Sequence, residues 1–159
     1  MTRFLSHIDD FDDALRTCCF AYFYWFSRLE YALKENGFCS SGRYGQAQVD
    51  WRKFIKSHAN DFTAPKEGKK LLANPPQWQT YQVGRCGWEA LNLDREATEL
   101  GKVVLIVKTI RNNLFHGGKG SQADWDDPER NLFLLRNGKS VLDALARIAD
   151  IESDYLRRY

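Results

Sequence analysis

Between Leu91 and His116, the apolar residues Leu100, Val103, Val107, Ile110 and Leu114 fall on one stripe of a helix, and Gly117-Gly118 stops the pattern abruptly. Asp94 is placed to cap its start. A helix apolar along one side must bury that side against another element, so this segment commits the chain to a layered helical packing. Two further segments supply partners. From Ile8 to Asn36 the residues Leu15, Cys19, Phe23, Phe26, Leu29, Tyr31 and Leu33 recur at helical spacing, and Asn36-Gly37 ends the run. Near the other end, Ser140 precedes a helical pattern through Val141, Leu145, Ile148, Ile151 and Tyr155.

The remaining sequence is weaker in pattern. A shorter helix is expected from Tyr44 to about Asn60, around Val49, Phe54 and Ile55. Residues 61–82 hold all but one of the four prolines and read as a connector, with one short helix near Lys69 to Ala73 and a brief extended piece at Trp78 to Val83. Asn131 to Leu135 fits either a short helix or an extended piece. With no alternating strand pattern in competition, the expectation is an all-α, up-and-down bundle of four to five helices, formed by residues 1–159 as one domain. A content of 43% hydrophobic residues over 159 positions is enough to give that bundle a core.

Charge and cysteines narrow the partners. The net charge of +2 disfavours general non-specific DNA binding and requires any nucleic acid to be held by a local basic patch. Cys18, Cys19, Cys39 and Cys86 form no CxxC pair and no zinc-ligand spacing with histidine, so neither a metal nor a disulfide framework is expected, and they read as buried thiols. The acidic Asp9-Asp10 and Asp12-Asp13 do not suit a signal peptide, and the apolar run Cys18 to Phe26 is far shorter than the roughly 20 residues of a membrane span. A cytoplasmic protein without membrane or cofactor is the expectation.

The chemistry concentrates where the striped helix ends, in Arg111-Asn112-Asn113-Leu114-Phe115-His116-Gly117-Gly118-Lys119. Arginine offers a permanent planar cation that matches phosphate oxygens, and histidine moves protons near neutral pH. Residues five apart lie roughly 140° apart on a regular helix, so Arg111 and His116 do not share a face, whereas Asn112 and His116 do. RNA brings its own nucleophile, the 2′-hydroxyl. Cleavage then needs a base, an acid and a counter-charge for the phosphorane, which is work for a His and an Arg without a metal. One His and one Arg make half a set, so a two-fold homodimer is implied. Lys108, Asn113 and Lys119 flank the motif as candidate phosphate or substrate contacts.

These residues give the chain a resemblance to the HEPN domain. The helix containing Phe26-Ser27-Arg28-Leu29-Glu30-Tyr31-Ala32-Leu33-Lys34-Glu35-Asn36-Gly37-Phe38 and the later Arg111, Asn112 and His116 are similar to that family's early helix and its Arg-polar-His signature. The resemblance implies a metal-independent endoribonuclease that uses the 2′-hydroxyl, works as a homodimer on single-stranded RNA, tRNA or mRNA, and serves as a toxin or antiphage-defence effector with an antitoxin or regulatory partner. It gives Arg111, His116 and Asn112 catalytic roles and likens Glu30 to an acidic residue near the site. Gly118 stands where members modified by a partnered nucleotidyltransferase carry Tyr, so that control is not implied.

Other readings stand beside this one. Arg52 and His58 also fit a loose Arg-to-His spacing but sit in a charged run that reads as a solvated helix face. Residues 111 to 116 also suit a helix C-terminus whose basic groups offset the macrodipole. Glu30 is more often an ordinary i,i+4 partner, here of Lys34, than a site residue. The run Phe20, Tyr22, Phe23, Tyr24, Trp25, Phe26 circles a helix, so most of it belongs to core or interface rather than a stacking surface. The alternative function is a non-catalytic RNA- or nucleotide-binding or oligomerisation module.

Overall fold

The computed structural model describes residues 13–115 and 127–157. In chain order these form α1 (Asp13–Glu35), β1 (Cys39–Ser41), β2 (Ala47–Val49), α2 (Trp51–His58), α3 (Lys66–Ala73), β3 (Gln77–Gln82), β4 (Arg85–Ala90), a 3₁₀ turn at Leu93–Arg95, α4 (Glu99–Phe115), α5 (Pro128–Ile148) and α6 (Glu152–Leu156). The chain is therefore mixed α/β rather than all-α: β1 pairs with β2, and β3 with β4, as two separate antiparallel hairpins. The all-α expectation fails because each strand is short and rich in Ser, Gln or Gly. Such strands give no period-2 apolar signal.

The helices still make the core. α1 ends in a Schellman motif, with the Phe38 amide donating to the Leu33 carbonyl (2.9 Å) and Gly37 at φ 86°, where a side chain would be strained. α1, α4 and α5 meet at one close approach. Tyr22 of α1 is fully buried and donates its hydroxyl to the Val107 carbonyl of α4 (2.8 Å). Gly138 of α5 makes room for it: a Cβ there would stand 2.7 Å from the Tyr22 ring and 3.3 Å from Ile110. Burial alone pushes the Tyr22 hydroxyl well above its usual pKa, so it remains a donor.

Several boundaries differ from the sequence reading. α2 begins at Trp51, capped by Asp50 accepting from the Lys53 amide (3.0 Å), because residues from Tyr44 to Val49 turn the first hairpin. α4 begins at Glu99 and not near Asp94. Asn92 accepts from the Asp94 amide (3.0 Å) in the 3₁₀ turn, and Thr98 accepts from the Gly101 amide (3.0 Å) at the helix start. α5 begins at Pro128 with Asp127 as its cap, and Ser140 lies inside it, its hydroxyl bonding back to the Arg136 carbonyl. The final pattern breaks at Asp150 (φ 56°), so Tyr155 belongs to the separate α6. Arg28 of α1 holds α6 by donating to the Asp154 and Tyr155 carbonyls.

Candidate functional site

α4 is fixed at its start and its middle before it delivers any charged side chain. Glu99 accepts from the Ala64 amide (2.5 Å), and Val107 is held by Tyr22. From that base Lys108 and Arg111, three residues apart on one side of the helix, emerge over aromatic rings. The Lys108 ammonium lies 5.8 Å from the Trp51 ring centre, the Arg111 guanidinium 5.8 Å from that of Phe26, and the two rings are 6.3 Å apart. Two cations thus flank one aromatic pair, each near the outer limit of a cation–π contact.

Glu30 follows Phe26 by one turn of α1. Burial pulls the Lys108 pKa down; the carboxylates of Glu96 and Glu30 act against this, and Arg111 adds to it. Glu30, Lys108 and Arg111, singled out separately in the sequence, therefore share one electrostatic neighbourhood. The neighbourhood is of mixed charge, with two cations on α4 and the carboxylates of Glu30 and Glu96 within reach of Lys108.

The amides divide. Asn112 is exposed and its carbonyl oxygen accepts from Arg111 Nη1 (3.0 Å), so in this structure it orients the arginine. Asn113 points elsewhere: its amide donates to the Gln77 carbonyl at the root of β3 (2.8 Å). That bond places it as a tether for the second hairpin. His116 and Lys119 lie outside the described residues.

Arg52 is exposed, whereas the His58 ring is packed between Phe38 (5.6 Å) and Phe54 (5.2 Å), its Nε2 buried with no hydrogen-bond partner among the described residues. That pair forms no joint site. Of the aromatic run on α1, Tyr22 and Phe26 are buried, while Phe20, Phe23 and Tyr24 are exposed. Beside them a groove of about 310 Å³ is lined by Arg16, Cys19, Phe20, Phe23, Leu114 and Phe115. The thiols are free, and against expectation none is buried: Cys18 and Cys19 are partly exposed on α1, and Cys39 and Cys86 are exposed because the hairpins carry them outward. Among the described residues no three His, Cys, Asp or Glu side chains are grouped to hold a metal ion, and no helix is long and apolar enough to cross a membrane.

Sequence reasoning did not find Trp51, which lies far from α4 in the chain and carries no motif. Comparison with protein-family models, curated proteins and solved structures finds no match for this chain.

Proposed function

We propose that this protein is a metal-independent endoribonuclease that cleaves RNA by attack of the 2′-hydroxyl on the neighbouring phosphate. The reading is carried by the placement of Lys108 and Arg111 side by side over the Phe26–Trp51 pair, on the helix that leads directly into His116. Arg111, steadied by Asn112, would neutralise the phosphorane; His116 would exchange protons with the 2′-oxygen and the leaving 5′-oxygen; Lys108 and Lys119 would hold adjacent phosphates. The products would be a 2′,3′-cyclic phosphate and a free 5′-hydroxyl.

The exposed apolar groove between α1 and the end of α4 supports a homodimer, since contiguous apolar surface of this kind marks protein contacts. A homodimer would supply a second His and Arg. An unregulated ribonuclease harms its own cell, so the reading extends to a cytoplasmic toxin or antiphage-defence effector restrained by an antitoxin or regulatory partner.

The test is cleavage of labelled total RNA and tRNA in excess EDTA by the wild type, Arg111→Ala and His116→Ala, each checked for folding. Wild-type cleavage to cyclic phosphate ends, reduced by about 100-fold or more in both variants, is the expected outcome. RNA retention with no cleavage by any form would replace catalysis with the binding-module reading.

A further inference from the structure

The β3–β4 hairpin is an arm. Its register, from Gln77 opposite Ala90 to Gln82 opposite Arg85, makes an arm of six paired positions, roughly 20 Å long. Neither strand contains a fully buried residue. Among the described residues, the side-chain hydrogen bonds that tie it to the helices are at its root, from Asn113 to the Gln77 carbonyl and from Arg130 of α5 to the Asn74 and Pro75 carbonyls (3.0 and 2.8 Å). An isolated two-stranded hairpin is marginal in water, so a chain that keeps one exposed on both faces uses its surface for something other than the fold.

Alternation puts Trp78, Thr80, Gln82, Arg85, Gly87 and Glu89 on one face. On that face a cavity of about 190 Å³ opens among Thr80, Gln82, Arg85, Gly87 and Glu89, bordered by Cys86 and Trp88. Gly87 creates it, although nothing in the backbone demands glycine: its φ is not in the left-handed region, and a Cβ would meet only Thr80 Oγ1 at 3.6 Å. Glycine weakens a strand interior, and where conformation does not require it, it marks a place where another group comes close. The walls favour a planar ring with N–H donors over a bare phosphate. Gln82 Nε2 donates to one Glu89 oxygen (2.8 Å), which leaves the other carboxylate oxygen and the Gln82 carbonyl as acceptors. Carboxylates accept from the amino edge of a base and repel phosphate. Arg85 at one end of the face and Arg95, whose guanidinium lies 5.7 Å from the Trp78 ring centre, at the other supply cations for the flanking backbone.

We infer that the Gly87 face of the β3–β4 hairpin binds single-stranded RNA, holding one amino-bearing base in the cavity between Trp78 and Arg85. This rests on the ribonuclease reading and adds to it a second contact surface and a base preference. The arm's root and Arg111 are both carried by the same end of α4, Asn113 holding the Gln77 carbonyl and Arg111 lying over Phe26. An aliphatic protein partner is disfavoured because the face carries amides, a carboxylate and a guanidinium in place of aliphatic side chains.

The experiment measures binding of labelled C12 and U12 oligoribonucleotides by the full-length protein, with cleavage of total RNA in parallel, for wild type, Gly87→Val, Arg85→Ala and Tyr81→Ala. Tyr81 lies on the opposite face and is the control. Valine suits a strand, so Gly87→Val should keep or raise thermal stability while weakening C12 binding about tenfold. Arg85→Ala should weaken both oligonucleotides, Tyr81→Ala neither, and wild type should prefer C12 to U12 by about fivefold. If the wild type binds and cuts RNA but Gly87→Val and Arg85→Ala behave like wild type, the hairpin proposal is overturned and the nuclease stands. If hairpin-dependent binding occurs without cleavage, the proposal stands and the nuclease falls. Absence of RNA binding overturns the proposal, and a loss of self-association in Gly87→Val reassigns the face to protein contact.

Discussion

The two hairpins share a secondary structure and little else. β1–β2 is three residues per strand, buries Val49, and passes directly into α2, whose fully buried Phe54 packs against Phe38 (5.5 Å) and Trp51 (6.0 Å). β3–β4 is twice as long and buries nothing completely. The first is a connector that seats an aromatic cluster beside the charged site; the second, among the described residues, is tied to the helices by side-chain hydrogen bonds at its root. What fixes a hairpin here is the core residue it carries and not the number of its ladder bonds, consistent with how little an isolated ladder contributes.

That contrast can be broken at several points. The largest effect is expected from Phe54→Ala, which empties the seat of the first hairpin and should cost about 3–5 kcal/mol in chemical denaturation. Gly138→Ala probes the helical junction that both hairpins depend on. Despite alanine's better helix propensity, the approach of its Cβ to the Tyr22 ring should lower stability by about 1–3 kcal/mol. Asn113→Ala should cost about 1 kcal/mol and raise hydrogen exchange in residues 77–90 while leaving residues 39–49 protected. If both hairpins lose protection together, they are one cooperative unit and the contrast fails.

Val83→Asn sharpens the comparison with the opposite sign. Val83 (φ 48°) and Gly84 (φ 78°) form a two-residue turn with both φ values positive, the pattern of a type I′ turn, where valine is strained and Asn-Gly is preferred. Stability should rise by about 0.5–1 kcal/mol in thermal unfolding. Smallest of all, Tyr81→Ala on the exposed arm should change stability by less than about 0.5 kcal/mol.

The sequence was most legible where burial repeats with a helical period. The stop of α1 at Asn36-Gly37 and the stripe on α4 are both present, because a Schellman end and an apolar face are local properties. Helix starts were less legible, since several polar residues competed for one role. Thr98 caps α4 while Asp94 is taken up by its own turn, and Asp127 caps α5 while Ser140 bonds backward within it. The extended piece at Trp78 to Val83 was visible; its partner β4, with Arg, Cys, Gly and Glu, was not. Of the site, Arg111, Lys108 and Glu30 could be named from sequence, but their common platform depends on Phe26 meeting Trp51 across the fold. Asn113 was named for substrate, and no local pattern could reveal its bond to Gln77.

The lack of any fully buried residue in the second hairpin bears on how this protein can change. Positions along that arm answer to almost no packing constraint, whereas the helix bearing Arg111 is locked through Val107 and Tyr22 into the centre of the bundle. Substitutions that alter what the arm touches can therefore accumulate with little loss of stability, while those that move the cations must pass through destabilised intermediates. The hairpin surface and the cations on α4 are positioned to drift at different rates within one chain.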